Sequence, residues 1–70
     1  MLTPEQIKVK ELRQQTGLSQ QKFADKFGIP VATLQTWEHG VNKPLSYSVN
    51  MIERILQLEA EIIQLRKEQV

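Results

Sequence analysis

Residues 20–39, Gln20-Gln21-Lys22-Phe23-Ala24-Asp25-Lys26-Phe27-Gly28-Ile29-Pro30-Val31-Ala32-Thr33-Leu34-Gln35-Thr36-Trp37-Glu38-His39, decide how this chain folds. Gly28 divides two short amphipathic segments. Phe23 and Phe27 share one face of the first segment with Ala24 beside them, and Leu34 and Trp37 share one face of the second. Ala24 is small at the point where two crossed helices come closest. Ser19 is a capping residue for the first segment, and Pro30 is expected to start the second. The pattern predicts a helix, a tight turn and a second helix laid across the first. That leaves Val31, Ala32, Thr33, Gln35 and Thr36 for work other than packing.

Working outward, Leu2-Thr3-Pro4-Glu5-Gln6-Ile7 reads as a helix start. Thr3 can cap, Pro4 suits the first helical position, and Gln6 follows Thr3 by three residues, as a capping box requires. Leu2 and Ile7 have the spacing of a hydrophobic staple. Val9 and Leu12 share a face, and Gly17 is expected to stop this helix. Gly40 ends the third helix, and Asn42-Lys43-Pro44 reads as a loop. From about Ser46 to Gln69 there is neither glycine nor proline, and the segment is rich in Glu, Gln, Leu and Ile, which predicts one long helix. Leu45, Val49, Ile52 and Leu56 form a stripe expected to close the core. The expected fold class is all-α: a small bundle of four or five helices. Residues 1–56 would form the domain, and residues 57–70 would extend its last helix.

Seventy residues make one domain, close to the lower limit for a self-sufficient core. There is no cysteine, so disulfides and thiolate zinc sites are excluded, and the single histidine, His39, cannot build a metal site alone. No metal or other cofactor is expected. No cluster offers a positioned nucleophile, base or metal, so an enzyme is not expected either. No apolar run is long enough to span a membrane, and nothing resembles a signal peptide, so a cytoplasmic location is the expectation. Net charge is only +1. Through residue 45 the basic residues Lys8, Lys10, Arg13, Lys22, Lys26 and Lys43 outnumber Glu5, Glu11, Asp25 and Glu38. Beyond it Glu53, Glu59, Glu61 and Glu68 outnumber Arg54, Arg66 and Lys67. That asymmetry leans toward a polyanionic partner for the first part.

Val9-x-x-Leu12-Arg13, Gly17-Leu18-Ser19-Gln20, Phe23-Ala24, Phe27-Gly28-Ile29, Thr33-Leu34, Trp37-Glu38-x-Gly40 and Pro44 together resemble the Xre-like, Cro and phage-repressor helix-turn-helix family of lambda-repressor-like domains. The resemblance implies a helical bundle that binds double-stranded DNA in the major groove, often as a transcriptional repressor. Gln20 matches a position that contacts phosphate and braces the recognition helix. Val31, Ala32, Thr33, Gln35 and Thr36 match positions facing the groove or its walls, and Asn42 and Lys43 match a loop that reaches the backbone. Arg13 and Glu38 match a structural pair tying the first helix to the end of the third. His39 is expected at the surface near DNA.

Elementary chemistry supports several of these roles. Gln35 carries a donor and an acceptor and can pair bidentately with adenine, while the methyl groups of Val31, Ala32, Thr33 and Thr36 suit thymine. The free amides opening the second helix suit phosphate, and Lys22, Lys26 and Lys43 can add Coulomb attraction. The third helix has no Arg or Lys on its outer face, so bidentate Arg–guanine contacts are unavailable there. A preference for A·T-containing steps and a modest affinity per monomer follow.

The last helix carries a second stripe, Met51, Ile55, Leu58, Ile62 and Leu65. Ile55 and Ile62 fall at heptad positions a, Leu58 and Leu65 at positions d, and Glu61 at g precedes Arg66 at e. This favours a homodimer through a parallel coil. The competing reading, to which Leu56 and Ile63 contribute, is a helix folded onto its own domain. A homodimer would read a short inverted repeat, with recognition helices about 34 Å apart. The leading functional reading is therefore a small bacterial or phage repressor. Its rivals are an antitoxin that binds both DNA and a toxin protein, and an interaction module that keeps the fold without DNA binding.

Overall fold

The computed structural model describes residues 1–68; the end of the predicted last helix at Gln69 lies outside them. Four helices follow in order: α1 (Pro4–Thr16), α2 (Gln20–Phe27), α3 (Val31–Glu38) and α4 (Ser46–Glu68). No strand occurs among the described residues, so the all-α expectation holds, with four helices.

Local chemistry sets the boundaries. The Thr3–Gln6 capping box forms, with the Thr3 amide donating to Gln6 Oε1 at 2.7 Å and the Gln6 amide donating to Thr3 Oγ1 at 3.3 Å. Ser19 Oγ accepts from the Lys22 amide and caps α2. Helix α2 ends in a Schellman motif. The Ile29 amide donates to the Ala24 carbonyl at 2.9 Å and the Gly28 amide to the Asp25 carbonyl at 3.4 Å. This requires a left-handed residue at position 28, where Gly28 has φ 68°. The chain repeats the device after α3: the Val41 amide donates to the Thr36 carbonyl and the Gly40 amide to the Trp37 carbonyl, with Gly40 at φ 79°.

One expectation at the helix starts needs correction. Pro30 is the N-cap of α3 and lies outside it, with ψ 132°; its carbonyl accepts from the Thr33 and Leu34 amides. Ile7 is partly exposed, and Leu2 lies against Gly40, with its Cδ2 2.9 Å from where a Cβ on residue 40 would stand. Leu2 thus reaches over the α3 terminus.

Val9, Leu12, Phe23, Ala24, Leu34, Val49 and Ile52 form the core. Ala24 is fully buried, as its size at the helix crossing predicts. Phe27 and Trp37 pack half-buried against this cluster rather than inside it, and the Phe23 and Phe27 rings stand tilted at 4.8 Å. Leu45 departs from expectation. It is exposed, because it lies in the turn before α4, and Val49, Ile52 and half-buried Leu56 close the core without it. Fully buried Pro44 anchors that turn. Helix α4 packs on α1, where Lys8 pairs with Glu53 at 2.7 Å, and reaches α2 through a 2.8 Å pair between Lys26 and Glu59. It then outruns the body: every described residue from Ala60 onward is exposed, including Ile63.

Candidate nucleic-acid interface

Helix α3 is held from behind and open in front. Leu34 is fully buried and Glu38 nearly so, while Ala32 and Gln35 are exposed and Thr33 and Thr36 half-exposed. Val31 is half-buried against the core, so its methyls serve packing as well as the outer surface. Thr36 Oγ1 donates to the Thr33 carbonyl at 2.7 Å, which occupies its hydroxyl proton. His39 is the exposed C-cap residue of α3.

Glu38 anchors the back of this helix. Its side chain is 3% exposed, and Arg13 grips it with two bonds, Nε to Oε2 at 2.7 Å and Nη2 to Oε1 at 2.8 Å. The third guanidinium nitrogen, Nη1, donates to the Leu18 carbonyl at 3.1 Å, so one residue joins α1, the α1–α2 turn and α3. Burial pushes the Glu38 carboxyl up, but hydrogen bonds from Arg13 and then Gln20, with the guanidinium charge, hold it below its ordinary value. The bond to Glu38 in turn raises Arg13. The pair thus stays ionised, and among the described residues no buried side-chain polar atom lacks a partner.

From Glu38 a polar chain runs outward to the candidate reading face. Gln20 Nε2 donates to Glu38 Oε1 at 3.3 Å, and Gln35 Nε2 donates to Gln20 Oε1 at 3.4 Å. The polarity follows from chemistry. A carboxylate only accepts, so Gln20 must offer it the amide N–H and turn its oxygen to Gln35. Gln35 must then spend one N–H on Gln20, which leaves its oxygen and second N–H for a ligand. Those are the two groups that a bidentate contact with adenine uses.

The flanking loop is also fixed. Buried Gln6 uses its oxygen in the capping box and donates from Nε2 to the Asn42 carbonyl at 2.8 Å. Sequence reading gave Gln6 only the cap; a polar residue on the same helical face as Val9 was the available signal for more. Asn42 and Lys43 are exposed on this tethered loop, close enough for Lys43 to help lower the Glu5 carboxyl, after that residue's backbone hydrogen bond and the bond from Ser46. Lys22 is exposed at the start of α2, whereas Lys26 is engaged with Glu59. Exposed Ala32, Gln35, His39, Asn42 and Lys43 therefore belong to α3 and the loop that follows it, and Gln20 supports them from α2. Ile55, Leu58, Glu61, Ile62, Leu65 and Arg66 lie on α4 and take no part in this surface.

A family model described as helix-turn-helix matches residues 9–63. No curated protein and no solved structure matches the chain.

Proposed function

Because the chain belongs to the Xre-like, lambda-repressor-like helix-turn-helix family and is thereby a DNA-binding transcription regulator, we propose that it is a repressor that acts by occupying an inverted-repeat operator as a dimer. The observation that carries this reading is the open outer face of α3, with Gln35 oriented by the Arg13–Glu38–Gln20 chain behind it. A preset amide on an exposed helix face loses little freedom on pairing with a base edge. Gln35 and the methyl groups of Ala32, Thr33 and Thr36 read A·T-containing steps. The α2 amides and Lys43 contact phosphate and set the register. Repression follows from occupancy, since the bound dimer excludes polymerase. The chain works by binding and catalyses nothing.

Selection of duplexes from a random pool, followed by fluorescence anisotropy, tests this. The expected result is an inverted repeat with A·T-containing half-sites and an affinity that falls steeply with salt. G-rich half-sites, or no salt-dependent binding to any duplex, would overturn it.

A further inference from the structure

One apolar surface is not used by the fold. Met51, Ile55, Leu58, Ile62 and Leu65 are each between 40% and 58% exposed and form one stripe along α4. At about 100° per residue, this stripe lies roughly a third of a turn around the helix from the Val49–Ile52–Leu56 face that packs on the core. Its spacings are four, three, four and three residues, so Met51 extends the heptad frame by one layer toward the domain. There the stripe meets a shallow groove lined by Phe27, Ile29, Trp37 and Tyr47. The stripe thus runs from this groove to Leu65, in the last described turn of the helix.

We propose that a second copy of this chain packs along this stripe, parallel and in register, with Met51, Ile55, Leu58, Ile62 and Leu65 meeting their counterparts. This rests on the dimeric reading above and gives it a geometry. Charge selects the occupant and its direction. In a parallel coil each g residue faces the following e residue of the other chain. Arg54 at g then meets the partner's Glu59, and Glu61 at g meets the partner's Arg66, so both pairs are attractive and each occurs twice. An antiparallel packing that keeps the same apolar layers sets Ile55 opposite the partner's Leu65. It brings Glu59 against the partner's Glu59 and Glu61 against the partner's Glu61. Like charges then face each other at the centre. Glu59 already binds Lys26 of its own chain, so in the dimer it stands between that lysine and the partner's Arg54. A two-fold axis along the coil relates the two α3 helices by rotation, which demands an inverted repeat rather than a direct one.

The chain has no cysteine, so introduced thiols report on the dimer alone. Under mild oxidation the Leu65→Cys variant should form a disulfide with its own copy. A mixture of Ile55→Cys and Leu65→Cys chains should give the two homodimers and no mixed product. Ten residues of helix separate those positions by about 15 Å, beyond disulfide reach in the parallel arrangement. Sedimentation should find a dimer at ~100 µM that Ile62→Lys converts to a monomer. The Glu61→Arg change should weaken it roughly threefold or more, and Glu61→Arg with Arg66→Glu should restore it. A dominant disulfide between the Ile55→Cys and Leu65→Cys chains of that mixture, or a wild-type monomer at that concentration, would overturn the proposal. Anisotropy on a single half-site duplex separates this from the functional reading. A monomer that still binds a half-site with strong salt dependence refutes the coil and leaves DNA recognition intact.

Discussion

Replacing Arg13 by Met removes the partner of a buried charge without removing much volume. The Glu38 side chain is 3% exposed and Arg13 18%, so solvent screens little of their interaction. Breaking such a pair from one side costs about 3–5 kcal/mol, because the remaining charge keeps its desolvation without compensation. A domain of this size has a total stability of about 4–10 kcal/mol, so the variant loses a large share of it. The midpoint of thermal unfolding should fall by on the order of 15–30 °C. Urea unfolding followed by helical circular dichroism measures the same loss at neutral pH.

The pH dependence gives a sharper check. In the native protein Glu38 lies below its ordinary value of 4.5, so its stabilisation is complete above 4.5 and is lost as pH falls through the lower folded value. In the Arg13→Met variant burial remains, the guanidinium is gone and only the Gln20 bond and the Lys10 charge still lower the carboxyl, so the folded value rises from that of the native protein. The variant thus lacks, at neutral pH, stabilisation that the native protein keeps, and this difference fades as pH falls and the carboxyl is protonated in both. The gap between the two proteins should narrow toward about pH 4. A loss under about 1 kcal/mol at neutral pH, or a gap that does not change with pH, would refute the reasoning.

Gln35→Ala should cost about 1–3 kcal/mol on the selected operator and relax the preference at one base pair, measured by anisotropy on single-step variants. Gln20→Ala should lower specificity at the same base pair while leaving the helices intact, because Gln35 loses the acceptor that turns it. Lys43→Ala should weaken binding to all duplexes alike and reduce the salt slope by about one unit. Phe23→Ala should cost about 3–5 kcal/mol in urea unfolding, since Phe23 is fully buried in the core.

Much of the architecture was legible because it is written in neighbouring residues. Thr3 with Gln6, Ser19, Gly17, Gly28 and Gly40 act within one helical turn of their own position, and the structure uses each of them at a helix end. Periodicity likewise placed Val9, Leu12, Phe23, Ala24 and Leu34 inside. The candidate interface was legible in outline through the spacing of Ala32, Gln35 and Thr36, which puts them off the core face. What local pattern could not supply was the second partner of a polar side chain. Gln6 reaching Asn42 and Gln20 joining Glu38 to Gln35 each cross between elements far apart in sequence.

The sequence by itself determined an all-α chain of four or five helices, the caps of the first two and the residues of the crossing between α2 and α3, because capping and amphipathic periodicity are short-range forces. Periodicity had also set Val49, Ile52 and Leu56 of the last helix toward the core, and only the tertiary structure decided that Leu45 in its approach stays outside. Val49 and Ile52 face the pocket left by α1 to α3, whereas Leu45 falls in the preceding turn and the Met51–Leu65 stripe points away. A helix offers several apolar faces on the same pattern, and the shape of the surface it meets selects among them. The same packing, by burying Glu38 beside Arg13, fixes the direction in which the Gln35 amide is turned.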